Sequence, residues 1–166
     1  MQIGYLHNVV MTNLRKIMMY FNIESNKQLS EFADVKEKTI ESWFSNKRSP
    51  KISTLDKIAN KLKIPTYILF KEDLEINDIN IYDSIENNSS DSLEKNLRNE
   101  YIRRGKTSWN EISSIYSGLL SIDTLKSYHR KKNRITPPIN TLERLSSYLG
   151  IPACELIKED YNEKNQ

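Results

Sequence analysis

A repeated segment in the two halves of this 166-residue chain limits its fold more than any other feature. Residues 54–73 read TLDKIANKLKIPTYILFKED, and residues 141–160 read TLERLSSYLGIPACELIKED. Nine of the twenty aligned positions are identical, which indicates one supersecondary unit used twice. Two copies are too few for a solenoid, so the repeat predicts two small domains in one chain.

The composition favours helices in both domains. Only four Gly and five Pro are present, whereas all-β folds need many tight turns. Apolar residues in the first half recur at helical spacing. Ser25 and Gln28 form a capping box, and Pro65 is suited to the first turn of a helix. Together with the apolar spacing, these signals predict an all-α fold. The predicted helices of the first half cover about 13–21, 26–33, 37–45, 53–62 and a fifth from Pro65.

The second half repeats this layout. A helix is expected to start at Asp91 or Ser92 and to end at Gly105, since Gly tolerates the left-handed C-terminal cap. Residues 108–111 read SWNE, a second capping box that opens the next helix. Further helices are expected around residues 124–128, from about residue 140, and from Pro152.

Charge divides the chain into three parts. Residues 1–73 carry a net charge of +4, residues 74–93 of −5 and residues 94–166 of +4. The acidic middle is rich in Asn, Ser and Asp and is interpreted as a solvated linker. Its isoleucines would allow its first half to pack on a domain surface: Ile76, Ile79, Ile81 and Ile85. Apolar and polar residues partly alternate over residues 75–82, so a short strand is a second interpretation of that segment. The predicted domains are therefore residues 1–73 and 94–166, joined by linker 74–93.

The clearest motif is QLSEFADVKEKTIESWFSNKRSP, residues 28–50. It resembles the Cro/CI-type helix-turn-helix family, also called XRE-like or λ-repressor-like. Asp34 and Asn46 stand where that family usually has Gly, and Asn tolerates the left-handed turn. The second half resembles the family more distantly, with a turn and a following loop that are each two residues longer. The resemblance implies two tandem λ-repressor-like domains of about five short helices each.

The resemblance also implies sequence-specific binding of double-stranded DNA, by a repressor or other transcription regulator of phage or mobile-element type. In this family the third helix enters the major groove, while flanking groups hold phosphates. Trp43 is interpreted as a core anchor. The candidate DNA-binding residues of the first domain are Asn26, Lys27, Lys36, Glu37, Lys38, Thr39, Glu41, Ser42, Asn46, Lys47 and Arg48.

The second domain has a more basic candidate set. Ile122 lies at a reading position, where it suits either thymine methyl groups or a protein contact. His129 is interpreted as a surface residue. The candidate DNA-binding residues of this domain are Ser121, Asp123, Thr124, Lys126, Ser127, Arg130, Lys131, Lys132 and Arg134.

Two arrangements of the domains stay open. In the first, both domains read DNA at two unlike half-sites about one helical turn apart, and the flexible linker spans about 25 Å. In the second, residues 94–166 bind a protein partner, as in an antitoxin or an anti-CRISPR inhibitor that represses its own promoter. Tyr116, Leu119, Leu120 and Ile122 would form that surface. A homodimer is also possible, and residues 1–10 would be an arm, a dimer contact or a product of start-codon choice.

Several function classes are not expected. The single cysteine, Cys154, is interpreted as a small buried residue, and no Cys/His cluster suggests a metal site. No Gly-rich phosphate loop or nucleophile–base arrangement points to an enzyme, and no cofactor is expected. Neither a secretory signal nor a long apolar run is present, so a cytoplasmic, nucleoid-associated protein of a bacterium or phage is expected.

Overall fold

The computed structural model describes residues 4–159, and these fold into helices joined by short loops. The α-helices are α1 Tyr5–Tyr20, α2 Asn26–Ala33, α3 Glu37–Phe44, α4 Ile52–Leu62, α5 Ser89–Arg103, α6 Trp109–Ile115, α7 Ile122–Tyr128, α8 Ile139–Leu149 and α9 Ala153–Leu156. Two 3-10 helices, η1 Thr66–Phe70 and η2 Ile76–Asp78, complete the order. The predicted all-α class is confirmed for these residues. The strand considered at 75–82 is wrong, since η2 occupies part of that segment.

The first helix is longer than the sequence interpretation allowed. α1 starts at Tyr5, and its first two turns already bury Leu6 and Val10. These residues extend the stripe formed by Leu14 and Ile17, which lie four and seven positions after Val10. The expectation of a separate arm is therefore wrong for residues 5–10. Residues 1–3 lie outside the described part of the chain.

Predicted caps open the second helix of each half. Ser25 Oγ accepts the backbone N–H of Gln28 at 3.1 Å, while the Gln28 side chain reaches the N–H of Glu24 at 2.6 Å. In the second half, the Glu111 carboxylate accepts the N–H groups of Ser108 and Thr107, at 2.9 Å each. These backbone hydrogen bonds lower the pKa of Glu111 to about 2.

The fifth helix begins earlier than predicted. α5 starts at Ser89, with Asn88 as its N-terminal cap, so the expected start at Asp91 or Ser92 is wrong. Asn88 Oδ1 accepts the N–H of Asp91 at 3.1 Å, which places Asp91 inside the first turn. The predicted end is confirmed, because Gly105 follows the helix with φ +66°.

Backbone features of the first half recur in the second at regular offsets. The left-handed residues Asn22 and Asp34 correspond to Gly105 and Ser117, 83 positions later. Asn46 and Lys63 correspond to Asn133 and Gly150, 87 positions later. The offset grows twice because the turn before α7 and the loop after it are each two residues longer, as the sequence predicted.

In each half, an asparagine side chain on the first helix donates hydrogen bonds to the backbone of the last helical element. Asn13 Nδ2 donates to the carbonyl oxygens of Leu69 and Lys71, at 3.0 and 2.7 Å. Asn96, 83 positions later, donates in the same way to those of Leu156 and Lys158, at 2.9 and 3.1 Å. The elements held in this way are η1 and the short α9, where the sequence predicted a fifth helix in each half.

The two halves share one continuous apolar core. Between the halves, α1 packs against α8, α4 against α5, and η1 against α9. Buried side chains from both halves belong to the same cluster, including Leu69, Phe70, Leu156 and Ile157. The halves are therefore packed together over three pairs of elements.

The acidic segment between the halves lies against the first half. Leu74 and Ile79 are buried, and the N–H of Tyr82 donates to the carbonyl oxygen of Lys63 at 2.9 Å. Asn87 is also buried. Its Oδ1 accepts the N–H of Thr66 at 2.9 Å, and its Nδ2 donates to the carbonyl oxygen of Ile64 at 2.9 Å. The burial of Ile79 agrees with packing of the first half of this segment on the domain. A solvated, flexible linker is wrong for the segment as a whole, because specific hydrogen bonds hold its second half as well.

Candidate nucleic-acid interface

The core fixes how α2 and α3 cross. Leu29 and Ala33 of α2 and Ile40 and Trp43 of α3 are all buried, and Trp43 is 3% exposed, as expected of a core anchor. Asp34 ends α2 with φ +54° and ψ +45°, the left-handed geometry that Gly provides elsewhere. The three residues from Asp34 to Lys36 therefore make a tight turn between two rigidly packed helices.

The opposite side of α3 faces solvent. Glu37, Lys38 and Glu41 are exposed, whereas Thr39 and Ser42 are half-buried. Ser42 Oγ already donates to the carbonyl oxygen of Thr39 at 2.6 Å, which reduces its availability to a ligand. The exposed polar surface of α3 is therefore formed by Glu37, Lys38 and Glu41.

Polar groups flank this surface on both sides. Lys27 is exposed and Asn26 half-buried at the start of α2, where free N–H groups and the helix dipole favour an anion. Lys36 is exposed just before α3, and its side chain makes no capping hydrogen bond. After α3, the candidate residues Asn46, Lys47 and Arg48 are exposed.

A buried histidine on α1 holds the loop that carries Lys47 and Arg48. The His7 Nε2 atom lies 3.1 Å from both the carbonyl oxygen of Trp43 and Asn46 Oδ1. Both can only accept, so Nε2 carries the proton. Nδ1 lies 2.8 Å from Ser49 Oγ, which can donate to it. The sequence interpretation missed His7, because it placed residues 1–10 outside the first helix.

A basic groove beside α3 was also missed. It has a volume of about 690 Å³ between the α2–α3 turn and α4, and its cationic lining is Arg48, Lys51, Lys57 and Lys61. Lys57 and Lys61 lie one turn apart on α4, on the side away from the buried Leu55 and Ile58. That spacing is the sequence signal that identifies them. Lys57 and Lys61 extend the positive surface beside α3.

The equivalent helices of the second half expose fewer polar groups. Asp123 and Lys126 of α7 are exposed, while Thr124 is half-buried. Ser121 is exposed at the cap of α7, and its Oγ accepts the N–H of Thr124 at 3.1 Å. Ser127 is buried, and its Oγ donates to the carbonyl oxygen of Thr124 at 2.6 Å. Its placement among the DNA-contacting residues is therefore not supported.

The loop after α7 keeps part of its expected basic surface. Arg130, Lys131 and Lys132 are exposed. Arg134, in contrast, is half-buried and paired with Asp91 of α5, and its Nε donates to the carbonyl oxygen of Arg130 at 3.0 Å. Arg134 thus shapes this loop, while the three exposed cations form its outer surface.

The apolar surface considered for a protein partner is smaller than expected. Tyr116 is completely buried, with its hydroxyl 2.6 Å from that of Tyr101. Leu119 is 56% exposed, and Leu120 and Ile122 are half-buried. The exposed apolar group is therefore centred on Leu119, in the longer turn before α7.

The expectation of a surface position for His129 is wrong. Its side chain is 6% exposed, and its ring lies between those of Tyr101 and Trp109, with centroids 5.7 and 5.5 Å away. Nδ1 lies 3.2 Å from Glu94 Oε1, while the buried Nε2 has no hydrogen-bond partner among the described residues. Burial lowers the pKa of His129 below its ordinary value, and the Glu94 carboxylate only partly opposes this.

Other properties of residues 4–159 bear on the kind of site. No group of three or more His, Cys, Asp or Glu side chains in this range is arranged to hold a metal ion. None of the helices described here has the length and apolar character needed to cross a membrane. Cys154 is half-buried, and burial raises the pKa of its thiol.

The family comparison matches the segment that carries this geometry. Residues 25–69, from the cap of α2 to η1, match a family model described as helix-turn-helix, of the XRE or λ-repressor-like kind. The first half contains a helix-turn-helix domain. This family indicates sequence-specific DNA binding and transcription regulation. The match covers 45 of the 166 residues. No curated protein and no solved structure matches the chain.

Proposed function

We propose that this protein is a transcription regulator of phage or mobile-element type that binds a specific double-stranded DNA sequence through α3. One observation carries the proposal: the matched helix-turn-helix segment exposes Glu37, Lys38 and Glu41 while its other side is locked into the core. Lys38 can donate to guanine O6 and N7, and the two carboxylates can accept from cytosine N4. In this proposal the chain acts by binding and not as an enzyme.

The second half is proposed to be a divergent helix-turn-helix unit. The recurring left-handed residues and the matching roles of Asn13 and Asn96 support this assignment. Its DNA surface would consist of Asp123 and Lys126 on α7 and the cations Arg130, Lys131 and Lys132 in the loop. These cations would hold phosphates, which gives affinity without sequence preference.

Selection of bound sequences from random duplex DNA tests the proposal. The full chain is used, because its two halves share a core. We expect one sequence to be enriched and its affinity to fall with salt. In a Lys38→Ala, Glu41→Ala variant, the preference should be lost at the positions read by α3. Enrichment of no sequence would contradict the proposed function.

A second candidate function concerns the turn before α7. Leu119 is exposed there, and this supports capture of a protein partner by the second half. A Lys126→Ala, Arg130→Ala, Lys132→Ala variant separates the two functions of that half. Reduced DNA affinity and a shallower salt dependence would favour DNA contact, whereas unchanged DNA binding would favour a protein partner.

A further inference from the structure

Each half supplies a carboxylate to the first helix of the other half. Asp56 of α4 accepts the N–H of Ser89, in the first turn of α5, at 3.1 Å. Glu143 of α8 accepts the N–H of Leu6, in the first turn of α1, also at 3.1 Å. Free N–H groups and the helix dipole make a helix start a favourable place for a carboxylate. The interface therefore contains two reciprocal caps.

These caps are equivalent under the offsets that relate the two halves. Ser89 follows Leu6 by 83 positions, and Glu143 follows Asp56 by 87. The packed elements follow the same correspondence. α1 packs against α8, and their equivalents α5 and α4 pack against each other, while η1 packs against its own equivalent α9. Each contact from the first half to the second therefore has an equivalent contact from the second half to the first. This reciprocity is the mark of an approximate twofold axis between the halves.

The contacts around this axis fix the arrangement of the halves. Asp56 Oδ1 also accepts hydrogen bonds from the hydroxyls of Thr66 and Ser89, at 2.7 and 2.6 Å. Lys158 Nζ lies 5.4 Å from the centroid of the Tyr67 ring. Because the connecting segment is itself hydrogen-bonded to the first half, the halves are held as one body.

The loop after α3 lies at this interface. Lys47, Arg48 and Ser49 line a cleft of about 410 Å³ together with Asn140 and Thr141 at the start of α8. A twofold axis keeps the direction along itself unchanged. The axis relates α3 to α7, so a surface of α3 directed along the axis would be matched by a surface of α7 directed the same way.

The exposed surfaces of α3 and α7 carry exchanged charges at two equivalent positions. α7 follows α3 with an offset of 85, so Lys38 corresponds to Asp123 and Glu41 to Lys126. Lys favours guanine and acidic side chains favour cytosine, so the preferred bases are exchanged at these two positions. A symmetric homodimer would present the same charges twice.

We propose, on the basis of the proposed DNA-binding function, that one chain occupies a whole operator as an intramolecular pseudo-dimer. The operator has two unlike half-sites at a single fixed spacing, and the unlike charges on α3 and α7 set its direction. The reciprocal caps of Asp56 and Glu143 replace the interface that two separate chains would form.

The duplex selected by the full chain is the probe for the first test. We expect a two-part, non-palindromic motif and one chain per duplex by native mass spectrometry. Inserting about 5 base pairs between the half-sites rotates one by half a turn, so affinity should fall by about 30-fold or more. A flexible tether would tolerate the insertion, and that result would overturn the pseudo-dimer.

Charge exchange on α7 provides the second test. Asp123→Lys with Lys126→Glu gives α7 the charges of α3 at these two positions, so the motif selected by this variant should become more nearly palindromic. The matched control exchanges the exposed pair Lys63→Glu and Glu72→Lys, at unchanged net charge, and should select the original motif. If the Asp123→Lys, Lys126→Glu variant selected the same motif as the unchanged protein, the proposal would be overturned.

Two results separate this proposal from the broader one. A palindrome bound by two chains, or a motif with one part only, overturns the pseudo-dimer and leaves sequence-specific DNA binding intact. A selection that enriches no sequence overturns both. Enrichment of two unlike parts, bound by one chain and sensitive to spacing, supports both.

Discussion

A single buried side chain connects the first helix to the loop after α3. His7 is 1% exposed, and its ring atoms contact the carbonyl oxygen of Trp43, Asn46 Oδ1 and Ser49 Oγ. His7→Ala would remove these hydrogen bonds and leave a cavity at the buried position of His7. We expect the free energy of unfolding to fall by about 2 kcal/mol, measured by urea denaturation.

The neighbouring exposed residue is the control for this change. Asn8→Ala alters the same turn of α1 but removes an exposed side chain, so its effect should stay within about 0.5 kcal/mol. Equal effects of the two substitutions would show that the His7 contacts do not stabilise the loop.

The second histidine makes stability depend on pH. Burial, together with the Arg98 and Arg134 charges, lowers the pKa of His129, while Glu94 opposes the shift. The unfolded chain then binds a proton before the folded chain does, so stability falls as the pH drops below the unfolded pKa of about 6.5. In His129→Gln, the loss of unfolding free energy from about pH 7 to 5 should be smaller.

Urea denaturation at each pH measures this difference. Because both proteins contain the same carboxyl groups, comparing the two pH profiles isolates the contribution of His129. Parallel profiles would contradict a neutral, buried His129 in the folded state.

At the scale of elements, α3 and the loop after it are expected to play different parts. Lys38→Ala should reduce affinity for the selected duplex by about 1–3 kcal/mol and relax the preference at one position. Lys47→Ala should reduce the affinity for selected and random duplexes equally. It should also lower the slope of log affinity against log salt concentration by about one. Fluorescence anisotropy over a range of salt concentrations checks both, and equal behaviour of the two variants would contradict the assignment of α3 as the reading helix.

The sequence predicted the elements whose cause is local. The caps Ser25 and Ser108 and the break at Gly105 lie where the sequence predicted them, since a cap or left-handed turn depends on few neighbouring residues. α1 was predicted too short, although Leu6 and Val10 continue its apolar stripe. The predicted start at about residue 13 therefore used only part of the apolar pattern.

Side-chain roles that depend on distant contacts were not predictable. Ser127 looks like a surface serine, but a hydrogen bond within α7 satisfies it and leaves it buried. His129 owes its position to Glu94, which is 35 residues away in sequence. The capping roles of Asp56 and Glu143 were likewise not predicted, because their partners are backbone N–H groups of the other half.

At the scale of the whole molecule, the packing of the halves predicts joint unfolding. The apolar core continues from one half into the other, and Leu69, Phe70, Leu156 and Ile157 belong to it on both sides of the interface. Separation would expose this apolar surface and remove the partners of both reciprocal caps. We therefore expect a single cooperative transition instead of two.

The two tryptophans of the chain report on the two halves separately. Trp43 is buried in the first half, and Trp109 packs against His129 in the second. In Trp109→Phe, the fluorescence of Trp43 follows the first half, and in Trp43→Phe that of Trp109 follows the second. Circular dichroism of the same sample follows all the helices, so each variant provides its own reference.

In each variant we expect the fluorescence and circular dichroism midpoints in urea to coincide, because separation would remove apolar contacts and a cap from each half. Comparison within a variant removes the destabilisation that either Trp→Phe substitution causes by itself. If the fluorescence transition of one half preceded the loss of helix as a whole, the halves would unfold independently. The rigid body on which a fixed spacing of half-sites depends would then not exist.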